Sequence, residues 1–271
     1  MYKKYLCCLF LSILSTLSGF NVEFDPVPTL HINEQAARKM GQQIWQNESG
    51  GRIEGLTAWN EGEEFASLGI GHFIWYPTGS CTLFKETFPS LMEFFKSTGA
   101  FLPEWLNPTG GCPWETREKF LSAKQSPRMI ELREMLKNRI NLQVRFMVDR
   151  MQRALPYMIR NLNENMKKHV TNQFYRLAST GEGLFVLLDY INFKGEGASV
   201  GEQYNGKGWG LLQVLERMPN QTNETSAINE FVMTAKQVLQ ERIKNSPPER
   251  NEEKWLKGWS NRLDSYLYFT I

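Results

Sequence analysis

One short block of strand-like sequence, set between helical stretches, constrains this chain most. Leu56-Thr57-Ala58-Trp59, then Asn60-Glu61-Gly62, then Phe65 through Tyr76 reads as strand, turn, strand, and Pro77-Thr78-Gly79 closes it. Ahead of it, residues 31–48 carry Ala36, Ala37, Met40, Ile44 and Trp45 at helical spacing, with Asn33 as N-cap and Gly50-Gly51 as the stop. Beyond residue 82 the pattern is almost entirely helical. The pieces are Phe84–Lys96, Trp114–Ala123, Met129–Ala154, Tyr157–Leu177, Leu184–Asn192, Trp209–Arg217, Thr225–Lys244 and Glu249–Tyr266. A lone hairpin followed by many helices predicts an α+β fold, mainly α, with a small β-hairpin lobe (about 49–80) and a large helical lobe (about 82–271). No repeat or low-complexity linker divides residues 20–271, which read as one domain.

The first 19 residues stand apart. Lys3 and Lys4 precede an apolar run, Tyr5–Leu17, and Ser18-Gly19 offers small residues for cleavage. This pattern predicts a secretory signal peptide, and the run is short for a membrane span. An exported protein, periplasmic or secreted, follows. Of the net charge of +2, two lysines lie in the leader, so the remaining chain is near neutral. That argues against a nucleic-acid partner, which calls for a basic surface. Cys81 and Cys112 then remain, either bonded or free. His31, His72 and His169 are the only histidines, with no CxxC and no HExxH, so neither a metal site nor a cofactor is expected. The sequons at Asn47, Asn220 and Asn223 matter only in a host that glycosylates. Gly206–Gly210 lacks the Gly-Lys-Ser/Thr order of a phosphate loop and reads as a loop and helix start.

Glu48 is the first candidate for chemistry. It follows Met40 and Ile44 at four-residue intervals, so the three share one helix face. A carboxyl at the rim of a buried face, in the last turn of a helix, is pushed toward its protonated form by desolvation and by the negative helix end. A carboxylic acid that keeps its proton suits glycosidic cleavage, in which the leaving oxygen must be protonated.

Four stretches then resemble the lysozyme superfamily. Gly69-Ile70-Gly71-His72 resembles the strand of phage-type lysozymes, and Glu48-Ser49 the Glu-Ser pair of animal lysozymes and lytic transglycosylases. Leu187–Gly197 resembles the phage-type core helix ending in a Gly-x-Gly turn, and Trp255–Tyr266, with Asn261-Arg262, its closing helix. The segment from about 80 to 180 matches nothing comparable. The resemblance implies a lysozyme-like fold whose acid ends a helix beside a hairpin, and peptidoglycan, or a related amino-sugar polymer, as substrate. It implies Glu48 as general acid. Glu61 falls at the second carboxylate, with Glu63 and Glu64 as competitors, and Ser67 falls where a water-orienting residue belongs. His72 matches a histidine that pairs with an acid away from the cleft.

Trp59 and Tyr76 are candidate cleft aromatics, with Phe73 and Trp75 on the alternate face, and at least one face is expected in the core. Asn192, within the core-helix stretch, joins Trp59 and Tyr76 as a candidate substrate contact. Glu196 is a rival acid, because Leu211–Val214 resembles a lytic transglycosylase stretch. Two other functions remain open on the same fold: a catalytically silent carbohydrate binder, and an enzyme acting on chitin or chitosan.

Overall fold

In a computed structural model the described residues are 29–80, 84–220 and 226–271. The expected signal peptide, Cys81 and the sequon at Asn223 lie outside them. Helix α1 (Glu34–Ser49) starts where Asn33 accepts from the Ala36 amide at 2.8 Å. It stops at Gly50, whose φ of 62° lets its N–H turn back to the Gln46 carbonyl. Met40 and Ile44 are fully buried, so the face they share with Glu48 meets the core as its spacing requires.

The strand block folds as three antiparallel strands rather than two: β1 (Thr57–Ala58), β2 (Ala66–Leu68) and β3 (Phe73–Trp75), in the order β1-β2-β3. Ala58 faces Ser67, and Ser67 faces Ile74. The run from Phe65 to Tyr76 breaks at Gly69–His72, a tight turn with φ of 71° at Gly69 and 47° at His72. Glycine takes that conformation without strain, whereas His72 takes it against its own preference. Phe73 and Trp75 point into the core at 0% and 1% exposure.

Helix α2 (Phe88–Ser97) follows the sheet, and after a loop come α3 (Arg117–Ser122), α4 (Pro127–Asn138) and α5 (Ile140–Ile159). The methionine-rich stretch read as one helix is two, broken at Arg139, where φ −122° and ψ 31° leave the helical region. α5 instead runs straight through Pro156, the expected stop, and α6 (Glu164–Ala178) begins at Asn163, whose side chain caps the Met166 amide. Asn163 sets this boundary because it satisfies an amide that would otherwise lack a partner.

α7 (Gly181–Lys194) carries the deepest core face. A two-stranded ribbon, β4 (Gln203–Tyr204) and β5 (Lys207–Gly208), precedes α8 (Leu211–Arg217), where the sequence reading has only a loop. α9 (Ala227–Asn245) and α10 (Leu256–Ser265) complete the fold. One hydrophobic core runs from Phe73 and Trp75 through Phe146 and Met151 to Phe185, Phe231 and Tyr266. No helix among the described residues is long and apolar enough to cross a membrane.

Gln143 on α5, fully buried, ties the sheet to the helices. Its Oε1 accepts from the Ile70 amide at 2.9 Å and its Nε2 donates to the Leu136 carbonyl at 2.7 Å. Gln143→Ala leaves both backbone groups without that partner, and an unsatisfied buried group costs about 1–3 kcal/mol. The expected result is a loss in that range or above in urea unfolding. A loss under about 0.5 kcal/mol would show that the turn does not depend on Gln143.

Candidate functional site

Glu48 lies where α1 runs out against the hairpin. Gly55 lets the chain pass there, since a Cβ on it would sit 2.3 Å from that of Ser49. The Glu48 side chain is 16% exposed, and both carboxylate oxygens are engaged. Oε2 lies 3.1 Å from His72 Nε2, and Oε1 accepts from Arg262 Nη2 at 2.5 Å. Arg262, on α10, forks onto Asp189 of α7: Nε donates to Oδ2 at 2.8 Å and Nη2 to Oδ1 at 2.9 Å. The Asp189 side chain is wholly buried. It also accepts from the Tyr266 hydroxyl at 2.6 Å and the Asn47 amide at 3.1 Å.

This network corrects the expected protonation of Glu48. Burial does push its carboxyl upward, as the helix-face argument requires. The hydrogen bond from His72 and the charge and hydrogen bond of Arg262 together outweigh it, and the carboxyl is held down at about 2. In the resting protein Glu48 is a carboxylate. Burial lowers the Arg262 guanidinium, but Asp189 and Glu48 more than compensate and hold it firmly charged. Lys194 closes α7, with its ammonium over the rings of Trp259 (3.4 Å) and Phe193 (3.9 Å). Burial and the charges of Arg242 and Arg262 pull it down to about 6, against Glu252.

His72 departs from the expectation set by the resemblance. Its partner is Glu48 itself, not an acid away from the candidate site. Glu61 is exposed at the hairpin tip and makes no ion pair or hydrogen bond with Glu48. Glu64 is likewise exposed, and Glu63 is taken up locally by Asn60 and Trp59. Ser67 is 5% exposed on β2, and its hydroxyl has no hydrogen-bond partner among the described residues.

The two expected cleft aromatics belong to the core. Trp59, 6% exposed, donates to the Glu63 carbonyl at 2.7 Å and meets Phe120 edge-on. Tyr76, 3% exposed, packs on Phe65, and its hydroxyl accepts from the Phe84 amide. The polar edges that suggested sugar contact are spent on backbone groups.

Asn192 does reach a cavity. Its amide donates to the Ile70 carbonyl at 3.5 Å, and it lines a small pocket of about 50 Å³ with Gly71, Met147, Leu188, Arg150 and Glu196. Arg150 and Glu196 also line a groove of about 1040 Å³ between α2 and α5. Gly71 is thus the pocket's link to the acid, because the next residue, His72, bonds Glu48. Glu48 itself lines neither cavity.

Asp189 and Tyr266 are site residues that the sequence reading missed. Asp189 sits in an otherwise apolar helix run, Leu184–Ile191, and a buried acid of that kind requires a cation. Searches against protein-family models, curated proteins and solved structures find no match to this chain.

Proposed function

We propose that this protein is an exported glycosidase of lysozyme type that cleaves the glycan strands of peptidoglycan, with Glu48 as its proton-transferring group. The observation that carries this reading is convergence. Glu48, His72, Asp189 and Arg262 come from the four stretches that resemble the lysozyme superfamily, and they form one network, in which His72 and Arg262 contact the Glu48 carboxylate and Arg262 also holds Asp189. His72 lies 24 residues from Glu48 and Arg262 lies 214. Sequence similarity that reflected only helix composition gives no reason for such a meeting.

Glu48 starts as a carboxylate, so it must take up a proton before protonating a leaving oxygen. His72 Nε2, at 3.1 Å, is the group placed to supply it in its imidazolium form. Proton passage from His72 to Glu48, then to the glycosidic oxygen, leaves His72 neutral, Glu48 again a carboxylate, and the sugar with developing positive charge. Asp189 is bound by Arg262 and Tyr266, so it does not serve as a second carboxylate. The route that fits closes the sugar's own hydroxyl onto the anomeric carbon. The deprotonated Glu48 then accepts that hydroxyl's proton, and a single residue acts as acid and base in turn.

The test is incubation with purified peptidoglycan sacculi and mass analysis of the released glycan ends. Cyclised anhydro ends are expected. Ordinary reducing ends would keep the glycosidase and replace the route, and no soluble product would remove the enzymatic reading.

One observation favours a second reading, a catalytically silent glycan binder. The Arg262 clamp that holds Glu48 ionised also opposes its protonation. Binding of sacculi without release of fragments would decide for it.

A further inference from the structure

Arg150 and Glu196 stand where the small pocket beside Gly71 opens into the large groove, and both line both cavities. Most charged side chains around them are paired. Arg153 holds Asp149 at 2.5 Å and Glu93 holds Lys96 at 3.2 Å. Arg150 and Glu196 are not: neither side chain makes a hydrogen bond or an ion pair within 4.0 Å among the described residues. They are close enough to feel each other's charge. The Arg150 guanidinium lies 5.8 Å from the Phe146 ring centroid, on a half-buried residue that lines both cavities. With no protein acceptor, its planar fork is open to the cavities, and a carboxylate entering there can pair with it bidentately.

We propose that Arg150 and Glu196 form a subsite for a zwitterionic peptide branch on the glycan, Arg150 taking a carboxylate and Glu196 an amine or amide N–H. This rests on the glycosidase reading for the identity of the polymer, since the stem peptides of peptidoglycan carry such groups. The opposed, unjoined charges argue for a ligand with both signs. A neutral chitin chain or a cationic chitosan chain would leave Arg150 without its partner. The subsite therefore selects peptide-bearing glycan over bare amino-sugar polymer.

The experiment is calorimetric binding to the unmutated protein of a disaccharide-peptide fragment prepared from peptidoglycan. The same fragment with its carboxyl groups converted to amides, and a neutral chitooligosaccharide, serve as the other probes. Amidation is expected to weaken binding about ten- to hundredfold, the range for a charge-assisted hydrogen-bonded contact, and the chitooligosaccharide should bind no better than the amidated fragment. Arg150→Gln should lower affinity for the native fragment by a similar factor and leave the amidated one unchanged, and Arg150→Lys should fall between. Equal binding of native and amidated fragments, or binding of neither at millimolar concentration, overturns the proposal even if the Arg150 variants fail to fold. Turnover separates the two ideas. Arg150-dependent binding without cleavage of sacculi keeps the subsite and removes the glycosidase, and cleavage with no effect of amidation does the reverse.

Discussion

Arg262→Met should destabilise the protein by about 3–5 kcal/mol, because it leaves Asp189 charged, wholly buried and without its cation. Glu48 loses its shortest contact in the same step. Neither acid can reach solvent in compensation: Asp189 has no exposed side-chain surface and Glu48 only 16%. Tyr266 and Asn47 still donate to Asp189, but two neutral donors do not replace a bidentate guanidinium. Arg262→Lys should recover only part of the loss, since an ammonium is a single point of charge without the planar fork. The double variant Arg262→Met with Asp189→Leu should be clearly more stable than Arg262→Met alone, because it removes the stranded charge. Urea unfolding of the four proteins measures this. A loss below about 1 kcal/mol for Arg262→Met would mean that the network contributes little to holding α1, α7 and α10 together.

The pH dependence of stability should carry the signature of Glu48. Its carboxyl is lowered from 4.5 to about 2 on folding. A lowered acid contributes stability that is fully present above its unfolded pKa and is lost as pH falls through the folded one. The window is therefore from about pH 4.5 down to about 2, and a shift of this size corresponds to about 3 kcal/mol. Glu48→Gln keeps the shape of the side chain and cannot titrate, so its unfolding free energy should fall less steeply with acid below pH 4.5. Equal slopes for the two proteins would mean that Glu48 is not held ionised by His72 and Arg262.

The sequence made the architecture legible where local rules decide it. The α1 cap, the Gly50 stop and the buried Met40–Ile44 face follow from spacing and from glycine's tolerance of positive φ. The break between α4 and α5 and the passage of α5 through Pro156 were not legible, because capping at Asn163 and packing along the helix override proline's local preference. Glu48 was found by face and position, but its ionisation was misjudged. The deciding cation lies 214 residues away, on a helix whose relation to α1 is fixed only by the tertiary fold. Trp59 and Tyr76 failed as cleft residues for a related reason. An aromatic with a polar edge reads the same in sequence whether that edge meets a sugar or, as here, a backbone partner.

The central claim is that the Glu48 carboxyl moves the proton in glycan cleavage. The most direct test compares soluble fragments released from purified sacculi by the wild type and by Glu48→Gln, with circular dichroism showing both proteins folded. Wild-type release, and a fall of about 10²–10⁴-fold on losing the only acid–base group at the bond, is the expected result. Equal release by the two proteins would contradict the claim outright.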